Sequence, residues 1–196
     1  MEKLTITGSI DEISFVAAKI TMVMAFAAFL PFIIVWGMPG PIVFFDPVEG
    51  SFGVTMGNWA LSILAFGVAI IVGAFIHELI HALFFLPFLS SGFKGLSFGI
   101  SKKNLALYVH IKEPLSIWGF RTGVIMPFIL LGIVPLIAGL FTGSFFVFLF
   151  GFIMAQSAAG DLFLIQKAWR LHSGYFIEDM SDAMGFIATP KAPKTP

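Results

Sequence analysis

His77, Glu78 and His81 stand in the order H-E-x-x-H, within the run His77-Glu-Leu-Ile-His-Ala-Leu-Phe-Phe85. Four positions apart on a helix, the two imidazoles project from one face, one turn apart, and both can bind one zinc ion. Glu78 lies about 100° round the helix from His77, beside such an ion and not aimed straight at it. That is where a general base belongs, close to a metal-activated water without using up a coordination position. The segment before the motif, Trp59 to Ile76, is apolar apart from Ser62. Ionisable groups at the end of a membrane-crossing segment are costly, and they mark function. The bland alternative is a pair of helix-end histidines satisfied at an interface. In a chain with four histidines in all, the motif inside an apolar run outweighs it. These residues point to a membrane-embedded zinc hydrolase acting on peptide bonds.

Catalytic zinc takes three protein ligands and leaves a position for water. The chain has no cysteine, so the third ligand must be His, Asp or Glu, and no disulfide can form. Asp161, in Gln156-Ser-Ala-Ala-Gly-Asp-Leu162, is the best placed, as the one acidic group inside the last long apolar stretch. His77 stands about 19 residues into its stretch and Asp161 about 17 into its own, so both are ~25–29 Å from the same surface at about 1.5 Å per residue. An ordinary interfacial carboxylate near Lys167 is the competing reading. His110 is the rival third ligand, and it is equally a candidate for binding substrate or a reaction intermediate, or a plain surface residue. Asn104 is a candidate for the same binding role, although its place in a turn explains it as well. Gly73, one turn before His77 on the motif face, would admit a neighbouring helix. Arg121 reads as a side chain snorkelling to lipid head groups. His172, Glu178, Asp179 and Asp182 read as a solvated segment.

The elements that must position these groups are mostly membrane helices. Of 196 residues, 58% are hydrophobic and 11% charged, and the formal net charge is zero. Mean hydropathy is +0.99. A neutral chain of this kind has no electrostatic footprint for nucleic acid. Four stretches approach or exceed the roughly 20 residues a helix needs to cross hydrocarbon: about Ile13 to Trp36, with a kink at Pro31; about Asn58 to Leu86; about Leu115 to Leu140, with Pro127 and Pro135; and about Ser144 to Lys167. The connection from Gly37 to Gly57 has no Lys or Arg, whereas Lys94, Lys102, Lys103 and Lys112 follow the second stretch, and Arg170, Lys191 and Lys194 follow the fourth. Basic residues favour the cytoplasm, so both termini, the middle connection and the zinc site should be cytoplasmic in a multi-pass protein of the cell membrane. Leu96-Ser-Phe-Gly-Ile-Ser101 and Leu105-Ala-Leu-Tyr-Val-His-Ile111 flank Lys102-Lys103-Asn104 and alternate as a β-hairpin does. Residues 172–187 could form a short amphipathic segment, and 189–196, rich in Pro and Lys, reads as a disordered tail. The polar N-terminal residues do not look like a cleaved signal peptide. The expectation is an all-α membrane protein: one domain over 1–188 with four transmembrane helices and a small cytoplasmic hairpin between the second and third. Its partners would be the bilayer and a membrane protein or peptide substrate.

The order of several motifs resembles one family. His77 to Phe85 is followed by Val109-His-Ile-Lys-Glu-Pro-Leu115, then Arg121, Met126-Pro127, Leu131-Gly-Ile-Val-Pro135, and last Ser157-Ala-Ala-Gly-Asp-Leu162. That order is similar to the small four-span zincin peptidases of the DUF3267 family and, more distantly, to site-2-type intramembrane metalloproteases. The resemblance covers most of the chain beyond the first 50 or so residues. It implies zinc as cofactor and, from the site-2 type, an aspartate on a later span as third ligand, here Asp161. The chain departs from the fuller site-2 pattern: it has Gly160-Asp161-Leu162 in place of Leu-Asp-Gly, no Asn-x-x-Pro in the fourth span, and no PDZ-like domain. A different class of protein also fits the motif, a non-catalytic zinc-binding membrane protein acting as sensor, transporter or scaffold. Glu78 separates the two, because only the enzyme needs its carboxylate.

Overall fold

The computed structural model describes residues 3–38, 52–100, 107–180 and 184–191, with the side chains of the long second helix described from residue 57. Helices dominate because a helix satisfies its own backbone where no water is available to do so. In chain order the elements are β1 (Leu4–Thr7), α1 (Ile10–Met24), α2 (Leu30–Trp36), α3 (Phe52–Phe85), β2 (Leu96–Ile100), β3 (Leu107–Ile111), β4 (Leu115–Ser116), α4 (Ile117–Pro127), α5 (Val134–Thr142), α6 (Phe145–Ser157), α7 (Ala159–Trp169), β5 (Tyr175–Asp179) and β6 (Gly185–Pro190). Three helical runs are long and apolar enough to cross a membrane: Ile10–Trp36, Gly57–Phe88 and Ile117–Thr142. A fourth exists if the bent pair α6 and α7 is counted as one span.

The prolines and one serine explain where these runs depart from straight α-helix. Ala25–Phe29 and Phe128–Ile133 are π-helical, each lying just before a proline, Pro31 or Pro135. Proline has no N–H to donate and its ring crowds the carbonyl one turn back, so the preceding turn widens. At Pro31, where a kink was expected, the departure from regular α-helix is this π-helical stretch. Between α6 and α7 the Ser157 hydroxyl donates to the Met154 carbonyl at 2.7 Å, drawing on the helix's own acceptors. The fourth stretch, expected as one continuous helix, therefore breaks at Ala158, and α7 starts afresh with Asp161 in its first turn.

The chain forms two compact units. One comprises residues 18–74 and 129–157. Its α5 and α6 pack closely because glycines remove the side chains that would hold them apart: a Cβ on Gly139 would collide with the Phe148 backbone, and one on Gly151 with Leu136. Phe32 and Phe148 are buried with ring centroids 4.6 Å apart. Gly73 admits α6, since a Cβ there would lie 2.8 Å from Met154 Sδ. This is the close approach its small size leads one to expect.

The other unit comprises residues 1–17, 75–128 and 158–196. The hairpin is present, with β2 and β3 antiparallel in the register Leu96↔Ile111, Phe98↔Val109 and Ile100↔Leu107. Its expected turn, with Asn104, lies outside the described residues. A second sheet was not expected: four antiparallel strands in the order β1-β6-β5-β4. An all-α fold with one hairpin is therefore too spare a description of this mostly helical protein. Residues expected as an amphipathic segment form β5 and the start of β6, and β6 continues to Pro190. Tyr175 and Ile177 of β5, with Phe186 and Ala188 of β6, turn inward to a core shared with Phe85, Leu115, Ile117 and Phe120.

Candidate metal centre

α3 carries His77, Glu78 and His81 in its last turns, and both imidazoles are buried. Glu78 is half-buried beside them, and the ligand-type atoms of these three residues lie within 4.8 Å of one another. Asp161 arrives from α7. Its Oδ2 is 3.0 Å from His77 Nε2 and 3.5 Å from His81 Nε2, and the two Nε2 atoms are 3.1 Å apart. These three atoms close a triangle. A tetrahedral zinc with bonds of about 2.0–2.1 Å spaces its ligand atoms about 3.3–3.4 Å apart, so the triangle has the size of one face of such a site. Three electron-pair donors this close repel one another unless a cation or proton lies among them. The residues present therefore fit zinc.

The surroundings fix how each group is presented. The Gly123 carbonyl accepts from His81 Nδ1–H at 2.9 Å, which leaves Nε2 as the free electron pair of a neutral ring. This contact exists because α4 comes close to α3. A Cβ on Gly123 would collide with the Phe85 ring, and one on Gly119 would lie 2.6 Å from Phe88. Asp161 stands in the first turn of α7, where unpaired N–H groups favour negative charge. The far end of α7 is held by Arg121, whose Nη2 donates to the carbonyls of Ala168 at 2.8 Å and Leu171 at 2.9 Å. Its guanidinium sits between the rings of Trp118 and Trp169. Arg121 thus caps the helix that carries Asp161; snorkelling to head groups is not needed to explain it.

Glu78 has its own support. Val109 of β3 donates its backbone N–H to Glu78 Oε2 at 2.9 Å, tying the hairpin to the motif. His110, the next residue, pairs with a different partner: its Nδ1 lies 2.8 Å from Asp179 Oδ2, which also accepts the Ile111 N–H at 3.4 Å. Burial pushes the Asp179 carboxyl above its ordinary range, with His110 opposing the shift. Of the two candidates for third ligand, the structure puts Asp161 against both imidazoles and His110 in a separate pair. Asp179, expected in a solvated segment, joins β5 to the hairpin. The Gly123 carbonyl and the Val109 N–H were also missed, because a backbone group leaves no mark in residue type.

An H-E-x-x-H helix whose two imidazoles meet a carboxylate from a later helix, in a protein built on long apolar helices, defines the class: a zinc metallopeptidase. The chain belongs to the DUF3267 family, described as "putative zincin peptidase", whose model matches residues 70–176, more than half of it. That family implies zinc as the metal, and the match takes in both motif histidines, Glu78 and Asp161. No curated protein and no solved structure matches the chain.

Proposed function

We propose that this protein is a membrane-embedded zinc metalloprotease that cuts membrane or juxtamembrane substrates in the manner of site-2-type proteases. His77, His81 and Asp161 hold the ion, and Glu78 is the general base. The observation that carries this reading is the closed triangle of His77 Nε2, His81 Nε2 and Asp161 Oδ2 with a carboxylate beside it. A zinc ion bound there supplies a water acidified toward a pKa of about 7 and polarises the scissile carbonyl. Glu78 takes the water's proton and hands it to the leaving amine. With Oε2 held by the Val109 N–H, its second oxygen is the one left for that proton. His81 keeps its orientation through Nδ1–H and the Gly123 carbonyl.

A transmembrane substrate has its peptide bonds hydrogen-bonded within its own helix and must unwind before it can be cut. The hairpin offers an extended segment somewhere to go. On β3 the outward N–H groups of Val109 and Ile111 are taken by Glu78 and Asp179. On β2 the far edge has no strand partner among the described residues. From Gly57 to His77 the helix rises about 30 Å, the thickness of the hydrocarbon core, which supports the reading of a site near the boundary on the side where the basic residues gather.

Glu78→Gln in the full chain, purified in detergent, tests the reading. Zinc should stay at the wild-type ratio in elemental analysis, while cleavage of a proteome-derived peptide library, read by mass spectrometry, should fall by at least about 100-fold. Undiminished cleavage by Glu78→Gln, or a wild type that binds no zinc, would overturn it. A purely structural or sensing zinc would make the substitution silent in every measurement.

A further inference from the structure

Two carboxylates fill the outer edge of β3, and one of them is the general base. The Lys112 N–H donates to the Gly95 carbonyl at 2.8 Å, which continues the β2–β3 ladder by one hydrogen-bonded pair. Such pairs alternate in an antiparallel ladder, so Tyr108 and His110 turn their N–H groups to β2, and Val109 and Ile111 turn theirs away from it. The Val109 N–H donates to Glu78 Oε2 at 2.9 Å, and the Ile111 N–H to Asp179 Oδ2 at 3.4 Å. These two donors are rigidly related, two residues or about 7 Å apart along one strand. Whatever fixes the second also fixes the first, and with it one oxygen of Glu78.

Asp179 is itself anchored in the four-stranded sheet. By the two-residue period, Tyr175, Ile177 and Asp179 share one face of β5, and the first two are buried in the core. Its partner in the ladder is the buried Phe186. Its Oδ2 also accepts the His110 Nδ1–H at 2.8 Å, because an ionised carboxylate can only accept. Adhesion between hairpin and sheet does not call for this polar clamp, since Leu96 and Ile111 already pack in one core with Leu115 and Ile177. Packing of that kind has no direction, whereas hydrogen bonds fix distance and angle. A carboxylate drawn out of water also costs stability beside an apolar residue of similar size, and burial works against the Asp179 charge. Placing a reacting group to a fraction of an ångström is what such a cost can achieve.

We infer that Asp179, assisted by His110, is a positioning residue for the general base: it sets the Val109 N–H, which holds Glu78 Oε2 and leaves the other oxygen for the proton. This rests on the protease reading of the site and adds to it a residue from a distant strand.

The test uses zinc-loaded full-length protein in detergent, with the fastest-cut member of a proteome-derived peptide library as substrate. Asp179→Ala should keep its zinc and hold KM within about twofold, while kcat falls about 10–100-fold. Asp179→Asn, which keeps an acceptor oxygen for Ile111 and His110, should recover most of that loss. Val109→Pro removes the donor to Glu78 without removing a ladder bond. It should lower kcat as far, and adding Asp179→Ala to it should cost nothing further, whereas a merely structural link would multiply the two losses. Wild-type kcat in Asp179→Ala, a loss confined to KM, or multiplied losses would overturn the inference. Where Asp179→Ala does not fold, His110→Ala, which leaves the Ile111 bond, replaces it: a smaller, equally non-additive loss of kcat is expected, and an undiminished kcat overturns the inference. A wild type that cuts none of the peptides removes the protease reading instead. Hydrogen exchange at the Val109 amide then decides the clamp alone: exchange at least about tenfold faster in Asp179→Ala or His110→Ala keeps it, and an unchanged rate overturns it.

Discussion

At the residue scale, the assignment of the third ligand turns on two side chains that were open rivals in the sequence. Asp161 Oδ2 approaches both imidazoles, while His110 Nδ1 is engaged by Asp179. Asp161→Ala should therefore remove zinc from the purified chain, and His110→Ala should leave it in place; elemental analysis of the two variants side by side decides. Retention in the first and loss in the second would move the ligand to His110. A pH effect belongs to a residue further along. The Ser90 hydroxyl and the Ser91 N–H donate to the Glu113 carboxylate at 2.6 and 3.1 Å, which lowers its pKa from the ordinary 4.5. A lowered folded value means that the contact's stabilisation is complete above about pH 4.5 and is lost as pH falls through the folded value. Hydrogen exchange at the Ser91 amide should accordingly lose protection on acidification, and Glu113→Gln should flatten that dependence. The motif was legible because H-E-x-x-H is local, and the nearness of Asp161 to its imidazoles because depth along two apolar runs can be counted. Asp179 was not, since nothing in its neighbourhood of the sequence reveals a histidine on a strand 69 positions away.

At the scale of elements, the geometry of the centre depends on how closely α4 approaches α3. Gly119 and Gly123, one turn apart, leave the space that Phe88 and Phe85 fill, and this brings the Gly123 carbonyl to His81. Gly123→Val should push the helices apart, costing about 1–3 kcal/mol in overpacking. Loss of the carbonyl behind His81 should weaken zinc binding by about 10–100-fold. A competition titration against a zinc chelator, together with the thermal midpoint of the metal-free protein, separates the two effects: unchanged zinc affinity in a destabilised variant would mean that the carbonyl does not orient the ring. The same scale explains what the sequence disclosed of the fold. Apolar runs of some twenty residues announce helices, and alternation on both sides of a polar turn announced the hairpin. The four-stranded sheet gave no such signal. Outward positions of β5 and β6 carry Phe176 and Ile187, which blurs the alternation, and β1 pairs with β6 through Thr5↔Ile187, across nearly the whole chain.

For the whole molecule, the sheet supplies an argument about the membrane that hydropathy alone does not. The β1 segment precedes the first apolar run, β4 precedes the third, and β5 and β6 follow α7, yet all four strands share one hydrogen-bonded sheet. Strands paired in one sheet lie on one side of a bilayer. If each of the three long runs crosses, two crossings return the chain to β4 and a third leaves that side again, so the bent pair α6 and α7 would have to cross as well for β5 and β6 to meet β1. This parity is an argument for four crossings over a three-span protein with a re-entrant loop, and labelling tests the expectation that the two ends and the hairpin share the side where the basic residues gather. The absence of cysteine makes the point directly testable. Single cysteines placed at Lys3, Lys94 and His172, all exposed, should resist a membrane-impermeant maleimide in intact cells and react once the membrane is opened. Met38→Cys and Thr142→Cys, also exposed, should react at once. Immediate labelling of His172→Cys together with Met38→Cys would make α6 and α7 a re-entrant loop. Immediate labelling of all of the first three, with Met38→Cys protected, would keep the four crossings and reverse their direction, moving the zinc site to the outer face.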